Sequence, residues 1–134
     1  MDAIIDKKKI PLSLLGELNE TDLTNASDTD LRDALERDGY LFLRNIINPK
    51  EIEIARNDIF KRLKDVDELK EPYEDGIASG DSSRDKIHND RGHFWEKVSL
   101  SKPLREVTNG KNLENIFSKI FGTPSTGFDF IFLR

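Results

Sequence analysis

No cysteine occurs among the 134 residues, which excludes disulfides, thiolate metal centres and cysteine nucleophiles together. A reducing, cytoplasmic setting is the expectation that follows. Long apolar runs are missing too. The opening Met1-Asp2-Ala3-Ile4-Ile5-Asp6 carries acids where a secretory leader needs positive charge, and no later stretch has the length and apolarity of a bilayer-spanning helix. Secretion and membrane spanning are therefore not expected. Gly76, Gly80 and Gly92 are too widely spaced for a phosphate-cradling loop, and no Lys-Ser or Lys-Thr follows them. No serine sits in a nucleophile-elbow pattern, so a hydrolytic triad has no footing either. A basic stripe is also absent. Twenty-one Lys and Arg are scattered among 26 Asp and Glu, for a net charge of -5, and a phosphate backbone needs a concentrated basic surface. Nucleic acid is thus not an expected partner. The only basic cluster, Lys7-Lys8-Lys9, reads as a solvated N-terminal tail.

What is present suits one small globular domain. Hydrophobic residues make up 36% and charged residues 35%, enough for a modest core with polar margins. Residues 1–27 show no sustained period and are read as an N-terminal arm, with Ile10-Pro11-Leu12-Ser13-Leu14-Leu15 as a short apolar patch. Acids and hydroxyls at Ser27-Asp28-Thr29-Asp30 precede Leu31, Ala34 and Leu35 at helical spacing, and Gly39 follows, which predicts a helix over 29–38. Tyr40-Leu41-Phe42-Leu43 is too short for a helix and reads as a buried strand, its aromatics core. Asn48 caps and Pro49 opens a second helix, whose apolar stripe of Ile52, Ala55, Ile59, Leu63 and Val66 predicts an end near Leu69. Residues 71–92 are rich in Gly, Ser and charge and poor in core-forming side chains, so a long mobile loop is expected there. Phe94 and Trp95 anchor the end of that loop or shield a pocket mouth. Two further helices are predicted over 102–108 and 111–121, the second closed by Gly122 and Pro124. Phe128, Phe130 and Phe132 then alternate with Asp129, Ile131 and Leu133, which predicts a strand with the phenylalanines on one packed face.

Several of these segments carry a family likeness. Asp38-Gly39-Tyr40-Leu41-Phe42-Leu43-Arg44, then Asn48-Pro49-Lys50-Glu51, then Phe121-Gly122-Thr123-Pro124 before Gly127-Phe128-Asp129-Phe130-Ile131-Phe132-Leu133-Arg134, resemble the opening third of phytanoyl-CoA dioxygenase-like oxygenases. The resemblance covers about residues 28–134 and rests on scaffold features, none of them catalytic. It implies an α+β chain, the mostly helical N-terminal part of a double-stranded β-helix (a cupin-like jelly roll) with a few short strands. It further implies a parent enzyme that uses Fe(II), dioxygen and 2-oxoglutarate to hydroxylate a small organic substrate. The chain stops where that family's iron-binding HxD…H strands would begin, so the expectation is an N-terminal portion inactive alone. Arg134, at the end of the closing strand, is the position the resemblance places near the 2-oxoglutarate site.

One constellation has the right residue types for iron. His88, Asp90 and His93 supply the two imidazoles and one carboxylate of a facial triad. Their order departs from the family, since the pair lies before the closing strand and all three fall within one polar loop. Metal ligands need a surrounding shell that fixes their orientation, so the cluster is read as loop polarity, with a loop wrapped around a metal as the alternative. Two function classes stay open: the oxygenase portion, and a non-catalytic helical protein-interaction module. Exposed strand edges would favour a homo-oligomer or a complementing chain that supplies the iron-binding half.

Overall fold

Residues 3–23, 25–88 and 91–131 are described by a computed structural model. The fold is α+β, with helices dominating and a single two-stranded sheet among the described residues. The chain divides into two units, Met1–Arg44 and Asn45–Arg134. Asp90 and residues 132–134 lie outside the described residues.

The first unit opens with a hairpin where the sequence showed no period. Strands β1 (Ala3–Ile5) and β2 (Lys8–Ile10) pair antiparallel with Ile5 opposite Lys8. The two-residue turn, Asp6-Lys7, has φ of 49° and 63°, the primed geometry that matches strand twist. Lys7-Lys8-Lys9 therefore forms a turn and a strand and is not a free tail. Helix α1 (Asp28–Asp38) is held at its start by a capping box. Asp30 N donates to Ser27 Oγ at 3.2 Å while Ser27 N donates to the Asp30 carboxylate at 2.8 Å. Gly39 ends it at φ 74°, its N–H on Leu35 O. The expected strand at residues 40–43 is reduced to one parallel bridge between Phe42 and Glu20, with Thr21 N on Phe42 O at 2.9 Å. A ladder needs a partner extended over several residues, and the arm stays alongside for only this one. Tyr40 and Phe42 are half-buried accordingly.

In the second unit, α2 (Pro49–Lys64) begins as its residues dictate, with Lys50 N donating to Asn48 Oδ1 at 3.0 Å. Ala55 and Val66 are buried and Ile59 and Leu63 pack on the core, whereas Ile52 is 46% exposed and leaves the stripe. The helix stops earlier than its periodicity suggests. Asp67 N donates to Lys64 O and Glu68 N to Leu63 O, both at 2.9 Å, while Asp67 takes φ 62°. This is a Schellman closure with aspartate in the place usually held by glycine.

The stretch expected to be a structureless loop is bonded throughout much of its length. After a turn of 3-10 helix at Tyr73–Asp75 the chain runs back along residues 66–70, with Lys70 N on Ile77 O, Ser79 N on Glu68 O and Ser83 N on Val66 O, each 2.9 Å. Helix α3 (Arg84–Ile87) follows, then α4 (Arg91–Ser99), α5 (Lys102–Thr108) and α6 (Lys111–Phe121). The last two match their expected spans, because Pro103 and Gly122 punctuate them. Val66, Phe94, Val98 and Leu104 form the buried cluster where the end of α2, α4 and α5 meet, with Ile59, Leu63 and Trp95 packed around it.

The expected terminal strand is not formed over its described part, 128–131. Phe128 and Phe130 are 88% and 73% exposed, so they are not core. No strand lies beside them among the described residues, and the carbonyls of Phe128 and Asp129 are taken by Arg105.

Candidate functional site

The sequence's candidate ligands fall at the junction of α3 and α4, and the junction is built around an arginine. Arg84 opens α3 and sets its guanidinium over two rings, with Cζ 4.4 Å from the centroid of Phe94 and 4.7 Å from that of Trp95, whose planes are inclined by 76° to each other. Its guanidinium donates to the Glu68 carboxylate at 2.5 Å, and Ser82 Oγ donates to the other oxygen of Glu68 at 2.7 Å. The side chain is only 14% exposed. A planar guanidinium can stack and form a directed ion pair at once, which an ammonium cannot. Phe94 and Trp95 thus anchor the returning segment through Arg84, and Phe94 is itself part of the core.

That anchor positions both histidines. His88 caps α3, its N–H on Arg84 O at 2.8 Å, and its ring meets Phe94 edge-on at 5.6 Å between centroids. His93 sits in the first turns of α4 with Nδ1 3.3 Å from Glu96 Oε2. The two imidazole centroids are 6.3 Å apart and inclined by 65°. Cis sharing of one ion, at about 90–110° and with nitrogen–metal bonds near 2.1 Å, would bring two ring centroids to about 4.5–5.3 Å. The rings as placed are farther apart than that arrangement requires. Among the described residues no three His, Asp or Glu side chains group as a metal site. Asp90 and Arg134, named from the sequence, lie outside the described residues.

Beside His88 a shallow cavity of about 250 Å³ is lined by Arg62, Asp65, Val66, Phe94, Lys97 and Val98. It mixes two cations, one acid and apolar walls, which suits no single ligand charge. A larger groove of about 590 Å³ lies between α4 and the final segment, with Trp95, Leu100, Phe130 and Ile131 as its apolar walls. The period-two reading of residues 128–131 hid it, because that reading turned Phe130 toward a core. Leu100, 59% exposed just past α4, belongs to it as well, and no local sequence signal marked that residue as a groove wall.

None of the described ionisable groups whose behaviour departs from the ordinary lines these cavities. Hydrogen bonds from the Ser27 side chain, and then its backbone, hold the Asp30 carboxyl below the usual aspartate range. The Lys64 ammonium, 3.0 Å from Glu71, does the same to that carboxyl and is itself raised. Both pairs tie local structure and present no acid–base couple at a cleft.

The class defined by fold and geometry is an α+β protein with a helical core and no assembled reaction centre among its described residues. Comparison of the chain with family models, with curated proteins and with solved structures finds no match in any of the three. No helix among the described residues is long and apolar enough to cross a membrane.

Proposed function

We propose that this chain is the N-terminal helical part of an Fe(II)- and 2-oxoglutarate-dependent oxygenase of the phytanoyl-CoA dioxygenase-like kind, whose complete form hydroxylates a small organic substrate. The reading rests on the order of scaffold motifs, the Asp38–Arg44 run, the Asn48-Pro49 helix start and Phe121-Gly122-Thr123-Pro124. One observation carries it beyond pattern: large apolar side chains stand in solvent late in the second unit, Phe117, Phe121, Phe128 and Phe130 among them. A surface of that composition calls for a cover, and the jelly-roll strands of such an oxygenase are one. Among the described residues no three His, Asp or Glu side chains group as a metal site, and Asp90 lies outside them, so no chemical step is assigned to these residues.

The decisive test is genetic and then spectroscopic. The reading expects the coding sequence beyond residue 134, or an adjacent gene, to encode an HxD pair with a later histidine. Co-expression with that segment should yield anaerobic Fe(II) and 2-oxoglutarate binding, seen as a visible charge-transfer band that survives in a His88→Ala, His93→Ala variant. If neither location encodes such a segment, the reading fails. A band given by this chain alone and lost in the double variant would assign iron to the histidine pair and replace it.

A second reading, a non-catalytic interaction module, draws on the same exposed side chains. In it the cover is another protein chain, which contributes no iron ligands.

A further inference from the structure

Residues 127–131 have the alternation of a strand, yet two of their carbonyls are bonded to side chains of α5 and its C-terminal cap. In an extended strand successive carbonyls point to opposite sides, so that each pairs with a different neighbour. Here the carbonyls of Phe128 and Asp129 turn to the same guanidinium. Arg105 Nη1 donates to Phe128 O at 3.1 Å and Nη2 donates to Asp129 O, while Nε donates to Ser99 O at 2.8 Å. Asn109 Nδ2 adds a second donor to Phe128 O at 3.0 Å. The chain bends at Asp129 as a result.

Two properties make this arrangement a latch. The donors of an arginine are fixed in one plane, so the last residue of α4 and both carbonyls of the segment are held in one relative geometry. The approach is also close, so that a side chain at Gly127 would require the Asn109 amide to move. A Cβ built on Gly127 would fall 2.0 Å from Asn109 Nδ2. Seated in this way, Asp129, Phe130 and Ile131 form one wall of the groove whose other wall carries Trp95 and Leu100.

We propose that Arg105, assisted by Asn109, latches residues 127–131 as a strap over the α4 groove, and that its release opens the groove and frees a strand-forming segment for pairing. The latched state satisfies the two carbonyls internally. This proposal does not depend on the oxygenase reading, because it needs no iron, 2-oxoglutarate or barrel strand.

Trp95, the one tryptophan of the chain, lies across the groove from the strap and reports its closure. In Arg105→Gln, acrylamide quenching of Trp95 should rise about twofold, and chymotryptic cleavage after Phe128 or Phe130 should quicken about tenfold, with far-UV circular dichroism unchanged. Arg105→Lys, which places one point charge where a fork stood, should fall between Gln and wild type. Wild-type quenching and cleavage in a folded Arg105→Gln would overturn the latch. Should that variant lose helix content, Asn109→Ala replaces it. It leaves Arg105 in place but removes the second donor to Phe128 O, and must itself raise both readouts, by less than Arg105→Gln. If they stay at the wild-type level there, the proposal is equally lost.

Discussion

Ser27 and Asp30 each supply what the other's backbone lacks, and the start of α1 depends on that exchange. Ser27 Oγ accepts from Asp30 N and donates to the Asp30 carboxylate at 2.7 Å. Loss of such a cap costs about 1 kcal/mol, so Ser27→Ala should lower the urea midpoint of the chain at neutral pH by a corresponding amount. The pH dependence has a definite sign. The folded Asp30 carboxyl is held below its unfolded value, chiefly by the Ser27 side chain. Its contribution is therefore full above the unfolded value, about pH 4, and disappears as pH falls through the lower folded value. Measured from neutral pH down to pH ~3, the gap between wild type and Ser27→Ala should narrow. A gap that widened on acidification would show that Asp30 does not act through Ser27.

At the scale of elements, helix ends were legible wherever a residue type enforces the geometry. Asn48 with Pro49, Pro103, and the two left-handed glycines Gly39 and Gly122 gave starts and stops that the structure keeps. The misses share a different cause. Asp67 closes α2 at positive φ, a conformation that aspartate tolerates better than most residues but marks far less plainly than glycine, so its identity was a weak signal of the stop. Asp6 and Lys7 turn the hairpin in the same way, without the Asn-Gly or Asp-Gly that usually marks one. Between 71 and 92, the part up to residue 88 gains its order from backbone bonds to residues 66–70 and from Arg84 over two rings, contacts that no local period encodes. The candidate site was legible only as a neighbourhood. Spacing placed His88 and His93 near each other, but the 65° between their rings is set by Phe94 and α4. The junction of α5 and α6 supplies a prediction at this scale. Gly110 has an ordinary φ of -69°, yet a Cβ there would lie 2.0 Å from Glu106 O. The obstacle is space and not conformation, and a backbone carbonyl cannot swing aside as a side chain can. Gly110→Ala should cost about 1–3 kcal/mol in a urea titration. Gly16→Ala, with nothing within 4 Å of the added carbon, should stay within about 0.5 kcal/mol of wild type. Equal midpoints for the two would contradict the packing at this junction.

For the whole molecule, two opposing forces meet at the surface. A net charge of -5 keeps copies apart, whereas the ring pair Phe117 and Phe121, stacked 5.8 Å apart on α6 and 45% and 63% exposed, draws them together. Because the attraction is apolar, salt does not weaken it, while the repulsion is screened within about 10 Å at 0.1 M ionic strength. Self-association in sedimentation velocity should therefore strengthen with added salt and with approach to the isoelectric point near pH 5.1. An association built on ion pairs would respond to salt in the opposite direction. Phe117→Ser with Phe121→Ser should abolish it and leave the helical signal intact, since neither ring belongs to the buried cluster of Val66, Phe94, Val98 and Leu104. The form of the wild-type boundary then bears on function. One defined oligomer means that a second copy covers α6, as an interaction module requires. A broad, salt-promoted distribution means that the apolar face lacks its proper cover, the outcome expected of a helical layer made to lie against an oxygenase barrel.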